Sequence, residues 1–130
     1  MLYLDSSATV KLLVDEEESP SLARFLGASG DPLVTSRVGV IELHRVARRI
    51  GADPDRSNAL AVTLGVVEVD DEIESIAIEL DPRLRALDAI HLASALTSRE
   101  LLRGFLCYDR RLADAATREG LRVIAPGAET

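Results

Sequence analysis

Apolar and polar positions alternate in blocks along the chain. Five short apolar runs, LYLD, LVTS, VVEVD, GFLCYD and LRVIAP, read as strands. Helical text separates them. SSATVKLLV suits a helix start with Ser6 or Ser7 as its cap. DEEES is an acidic bend, and a second helix runs from about Ser19 to Ala28 before the Gly30-Asp31-Pro32 turn. In RVGVIELHRVARRI, Val38, Ile41, Val46 and Ile50 lie on or near one face, and Gly51-Ala52-Asp53-Pro54 breaks the helix. PDRSNALAVTLG and DEIESIAIEL are helical in pattern. PRLRALDAIHLASALTSRELL, opening at Asp81-Pro82, is a strong Ala/Leu helix, and RRLADAATREG ends on Gly120. Alternating strands and helices predict an α/β fold with a mostly parallel sheet and helices on both faces.

With 130 residues, the chain is read as one domain over 1–130, long enough to bury roughly two-thirds of its unfolded surface. Hydrophobic residues make up 47%, which argues against disorder, and aromatics only 3%, so Leu, Val, Ile and Ala must fill the core. No run approaches 18 uncharged apolar residues, so no membrane span is expected. The N-terminus has no basic leader, and the expected location is the cytoplasm. The lone Cys107 excludes an internal disulfide and any Cys-based zinc site.

A formal net charge of −7 argues against a basic nucleic-acid binder. Two details change that picture. Fourteen of the fifteen cationic side chains are arginine, the better fork for phosphate. Four of them, Arg37, Arg45, Arg48 and Arg49, fall in one short segment. An acidic chain can also engage phosphate if its acids hold a divalent metal.

Four acids stand where acids are unexpected. Asp5 closes LYLD and Asp109 closes GFLCYD, so both should project from the carboxyl edge of the sheet, where open α/β sheets gather ligands. Glu42, between Ile41 and Leu43, and Asp88, between Leu87 and Ala89, are embedded in apolar helical text. Gathered together, such charges repel; a pair about 4 Å apart costs roughly 4 kcal/mol at an effective dielectric of 20. A divalent cation reverses the sign, and oxygen-only ligation fits Mg²⁺ or Mn²⁺. Such a centre orients a water, lowers its pKa and stabilises charge on a phosphodiester. The expected chemistry is metal-assisted phosphodiester hydrolysis with no side-chain nucleophile.

The segments YLDSSATVKLLVDEE, TSRVGVIELHRVARR, LRALDAIHLASAL and CYDRRLADAA, in this order, resemble the PIN-domain ribonucleases, and among them the VapC-type toxins of toxin–antitoxin pairs. The resemblance runs from Leu2 to about Val123, and LRALDAIHLASAL is its most specific part. It implies a three-layer α/β/α sandwich, Mg²⁺ or Mn²⁺ dependence and endonucleolytic cleavage of single-stranded regions of RNA. It also implies inhibition by a cognate antitoxin and a homodimer. The family's four acids map in order onto Asp5, Glu42, Asp88 and Asp109. The hydroxyl after the first acid maps onto Ser6 or Ser7, which holds Asp5 or a metal-bound water, or caps the helix.

Each residue also has a structural reading. Asp5 can cap the following helix, Asp88 can serve as a first-turn acid, Glu42 can pair with Arg45 or Arg49, and Asp109 can pair with Arg110 or cap its helix. His91 reads as a half-buried packing histidine, and His44 faces away from Glu42. Asp15, Glu16, Glu17 and Glu18 read as a solvated bend, Asp114 and Asp70-Asp71 as surface, and Cys107 as a buried strand residue. The Arg37, Arg45, Arg48 and Arg49 group is either a contact for RNA phosphates or a solvated helix face. Arg110 and Arg111 lie beside Asp109, within reach of substrate. Among other activities, a phosphotransfer receiver needs paired acids at the first strand and a late lysine, and neither is present. A haloacid-dehalogenase-type phosphatase needs a second Asp where Ser7 stands, and neither P-loop nor dinucleotide motifs occur. The remaining alternative is a weakly active or inactive binding module that acts through its antitoxin.

Overall fold

Five parallel strands form the central sheet of a computed structural model that describes residues 1–128. Glu129 and Thr130, the end of the expected domain, lie outside the described residues. The elements follow as β1 (Leu2–Leu4), α1 (Ser6–Leu13), α2 (Ser19–Ser29), β2 (Leu33–Ser36), α3 (Arg37–Arg49) and α4 (Pro54–Ala61). Then come β3 (Leu64–Val67), α5 (Asp71–Glu79), α6 (Ala86–Thr97), a 3₁₀ turn (Arg99–Leu101), β4 (Gly104–Leu106), α7 (Arg110–Arg118) and β5 (Val123–Ile124). The strand order is β3-β2-β1-β4-β5, with Tyr3 beside Val34 on one side and Phe105 on the other. No described helix is long and apolar enough to cross a membrane.

The pleat of β1 assigns its side chains to two layers. Leu2 and Leu4 pack with Leu106, Ala8 and Leu22 under α1 and α2. Tyr3 faces the other way and packs with Phe105, Leu92, Ala95 and Leu112 under α6 and α7. Tyr3 and Phe105 stack with ring centroids 5.4 Å apart, so two of the four aromatics anchor this layer and aliphatic residues fill the rest. A third cluster, Leu13, Leu43 and Ala47, joins α1 to α3. The expected three-layer α/β/α arrangement is present, and the sheet is parallel throughout rather than mostly.

Several expected boundaries move, among them the end of the Ala/Leu helix, which stops at Thr97. The third strand begins at Leu64, whose buried side chain pairs with Leu33, and ends before Glu68, because Asp70 caps α5. In GFLCYD only Gly104–Leu106 is strand; Asp109 accepts from the Leu112 N–H and starts α7. The Ala/Leu helix begins at Ala86, not Pro82. Asp81 accepts from the Arg83 N–H with its side chain and from the Leu84 N–H with its carbonyl, which holds residues 81–84 in a turn. Arg85 is thereby left extended at the mouth of α6. Nor is the DEEES bend wholly solvated. Lys11 Nζ reaches Glu18 at 2.6 Å and Glu16 at 3.2 Å, while lying 4.7 Å from the centroid of the Tyr108 ring.

Candidate active site

All five strands end on one edge, and β1 is where the chain order reverses, with β2 and β3 to one side and β4 and β5 to the other. The crevice outside such a switch point is the usual ligand site of a parallel sheet. Four of the expected residues come from the segments that open there.

Asp5 directly follows β1 and is 2% exposed. Its Oδ1 accepts from Ser7 Oγ at 2.6 Å and from the Ala8 N–H at 3.0 Å, and its Oδ2 from the Cys107 thiol at 3.2 Å. It therefore does cap α1, and the same contacts hold the carboxyl at the strand end. Burial pushes its pKa up, against the hydrogen bonds from Ser7, Cys107 and Ala8 and the field of His91. Ser7 Oγ also accepts from the Tyr108 N–H at 2.8 Å, which ties Asp5 to the loop after β4. Cys107 lies just past β4 and is buried; burial and the nearby Asp5 push its thiol pKa up, so it stays a neutral donor.

Glu42 lies in the second turn of α3. It does not pair with Arg45 or Arg49. Its Oε1 accepts from Ser6 Oγ and lies 2.9 Å from His91 Nε2. The nearer helix arginines lose this carboxylate because it is half-buried and turned toward α1 and α6. Burial opposes its charge, but His91, Ser6 and the more distant Arg85 outweigh that and hold its pKa below the usual carboxylate range. The two serines thus divide: Ser7 supports Asp5 and Ser6 supports Glu42.

His91 is not half-buried packing; it is 1% exposed and fully bonded. Its Nδ1 hydrogen bonds with the Tyr3 hydroxyl at 2.7 Å, and its Nε2 faces both Ser6 Oγ at 3.0 Å and Glu42. A chain Tyr3–His91–Glu42–Ser6 therefore runs from the core to the rim. The only local signal was the place of His91 in the apolar text of α6, three residues after Asp88, which does not name its partners.

Asp88 occupies the first turn of α6, as its structural reading has it, and its Oδ2 accepts from Arg85 Nε at 3.0 Å. The other end of the same guanidinium lies 4.0 Å from Asp109 Oδ2. Asp109 caps α7 and does not pair with Arg110. Cys107 Sγ lies 3.4 Å from the Asp109 carbonyl as well as beside Asp5, so the β1 and β4 ends are joined. Asp5, Glu42, Asp88 and Asp109 are in this way linked around one rim by Ser6, His91, Cys107 and Arg85.

The donor set has the chemistry a hard cation takes: carboxylate oxygens from four segments. One cation already stands among them, the Arg85 guanidinium. Among the described residues no three His, Cys, Asp or Glu side chains are gathered closely enough to hold an ion as they stand. The set fits Mg²⁺ or Mn²⁺ in the kind of donor it offers, carboxylate oxygens along one rim, with the Arg85 guanidinium lying between two of them.

Of the arginines, Arg37 donates to Glu68 through Nε at 3.1 Å and Nη2 at 2.5 Å. Arg45, Arg48 and Arg49 are exposed and form no ion pair among the described residues. Arg110 and Arg111 are exposed beside Asp109. His44 hydrogen bonds with Ser57 Oγ at 3.1 Å and takes no part in the rim.

The family model for the PIN domain matches residues 2–118. "Ribonuclease VapC47" of Mycobacterium tuberculosis (strain CDC 1551 / Oshkosh) is 36% identical over 134 residues, 98% of each chain. The crystal structure of Mycobacterium tuberculosis VapC20, a sarcin-ricin loop cleaving toxin, superposes with a TM-score of 0.72 at 19% identity, over 97% of this chain and all of that one. A toxin–antitoxin complex from Klebsiella pneumoniae also superposes with a TM-score of 0.72, at 18% identity, over 85% of this chain and 88% of that one.

Proposed function

The chain belongs to the PIN-domain family, and on that premise we propose that it is a metal-dependent endoribonuclease, the toxin of a toxin–antitoxin pair, acting on single-stranded regions of RNA in the cytoplasm. The observation that carries the reading is the convergence of Asp5, Glu42, Asp88 and Asp109 on one edge of the sheet, each with a partner that fixes it. Those four would hold Mg²⁺ or Mn²⁺. When bound, the ion supplies charge stabilisation at the phosphodiester and acidifies water at neutral pH.

The chain's own residues set the stage for that chemistry. Ser7, Cys107 and the Ala8 N–H hold Asp5 in one orientation, so little reorganisation is needed when substrate arrives. His91 and Ser6 do the same for Glu42, and keep it ionised despite its burial. The exposed arginines Arg45, Arg48 and Arg49 follow Glu42 along α3, where they can attract and orient the RNA backbone on its way to the rim. A cognate antitoxin is the proposed inhibitor, in keeping with the named relative and the superposed toxin–antitoxin complex. A homodimer is proposed with it.

The test uses purified chain free of any partner, incubated with structured RNA and either Mg²⁺ or Mn²⁺. Cleavage is expected in the wild type and is expected to be lost in Asp5→Asn and Asp88→Asn. RNA left intact under both metals overturns the enzyme and favours the binding module acting through its antitoxin.

A further inference from the structure

Arg85 is the one feature of the rim that the nuclease reading does not require. It sits at the N-cap of α6, directly after the Asp81 turn, with its carbonyl accepting from the Ala89 N–H at 2.9 Å. Its side chain is 76% exposed, yet its head is turned inward, 3.0 Å from Asp88 and 4.0 Å from Asp109. Its charge also reaches Glu42. A single guanidinium therefore serves three of the four acids of the site.

We propose that Arg85 is a built-in counter-ion that competes with the divalent cation for the acids and must swing aside for the ion to bind. The inference rests on the metal-dependent reading above and deepens it. Without a cation, the acids repel one another, and a tethered positive charge relieves that repulsion. An ion pair this exposed is weak, so a divalent cation can displace it. The arm is long and open to solvent, and no other acid pairs with it among the described residues, so nothing obstructs its departure. The consequence is a raised threshold: the acids load with metal only above a concentration that the arginine sets.

Manganese binding to the full chain, followed by electron paramagnetic resonance of free Mn²⁺ without RNA, tests this directly. Arg85→Ala is expected to bind Mn²⁺ about two- to fivefold more tightly than the wild type. Arg85→Lys, which keeps a charge in reach, is expected to fall between the two. Equal affinity in wild type and Arg85→Ala, or weaker binding in Arg85→Ala, overturns the counter-ion role and leaves the metal site standing. Absence of Mn²⁺ binding in both proteins overturns the metal reading and this inference together. Circular dichroism of Arg85→Ala confirms that the comparison is between folded proteins, and a larger Mn²⁺-induced rise in melting temperature than in wild type gives the same answer by a second route.

Discussion

His91 Nε2 lies 2.9 Å from Glu42 Oε1, joining α6 to α3 across 49 positions of sequence. The same ring bonds the Tyr3 hydroxyl on its far side. Removing the ring takes the imidazole from the buried Tyr3 hydroxyl, leaves Ser6 alone on the Glu42 carboxylate, and opens a cavity under the sheet edge. His91→Ala is expected to lose about 2–4 kcal/mol of stability, measured by chemical denaturation. Its Mn²⁺ affinity should fall as well, because Glu42 loses the contact that orients it. A stability loss below about 1 kcal/mol would show that the hydrogen-bond chain contributes little.

Gly39 gives a second view of the same contact. It lies in the first turn of α3, and a Cβ there would fall on Thr35 Oγ1 and come 3.0 Å from His91 Cε1. The Thr35 hydroxyl donates to the Leu4 carbonyl at 2.7 Å and cannot yield without breaking that bond. On an open helix, Gly→Ala gains up to about 1 kcal/mol. Here Gly39→Ala is expected to destabilise by about 1–3 kcal/mol, since the added methyl wedges α3 off the sheet edge. Thermal melting decides the sign.

Much of this was legible in the residues. The alternation of apolar runs with helical text is a local property, and it places every strand and helix to within a few positions. The strand ends at Asp5 and Asp109 follow from the same reading. Glu42 and Asp88 betrayed themselves as charges in apolar text. What local pattern does not carry is pairing between distant segments. Nothing near Glu42 says that His91 and Ser6, rather than Arg45 or Arg49, will take its carboxylate; that depends on how α1, α3 and α6 meet. Arg85 was hidden for a different reason. The Ala/Leu pattern continues back through PRLRAL, and only the turn built by Asp81 shows that residues 82–85 leave the helix and turn an arginine toward the acids.

The buried Asp5 makes a prediction about pH. Its folded pKa lies above its ordinary value of 3.8 because burial disfavours the charge. The folded state therefore holds this proton more tightly than the unfolded chain does. The stability tied to that proton is fully present below the ordinary value and is lost as pH rises through the folded value. Asp5→Asn keeps an oxygen for Ser7 and Ala8 but carries no charge. Metal-free Asp5→Asn is thus expected to melt above the wild type at pH 7–8, with the difference shrinking as pH falls toward about 4. Melting curves across that range measure it, and a mutant less stable than wild type at pH 8 would contradict the argument.

The arginines of α3 are not equivalent. At about 100° per residue, Arg45 and Arg49, three and seven positions after Glu42, lie within about 60° of its direction, whereas Arg48 lies about 120° away. Along the axis, Arg45 is about 4.5 Å and Arg49 about 10.5 Å from Glu42, a spacing that suits successive phosphates of a strand entering the rim. All three are exposed and free of ion pairs among the described residues, so orientation alone separates them. If RNA runs along this stripe, the double variant Arg45→Ala, Arg49→Ala weakens binding and lowers the slope of log K against log salt by about 1.4, the value for two phosphate contacts on a single strand. Arg48→Ala should change that slope little. Binding is measured by fluorescence anisotropy in EDTA, where no cleavage occurs, across a salt series. An unchanged slope in the double variant, or a larger change for Arg48→Ala, would move the RNA off this face of the helix.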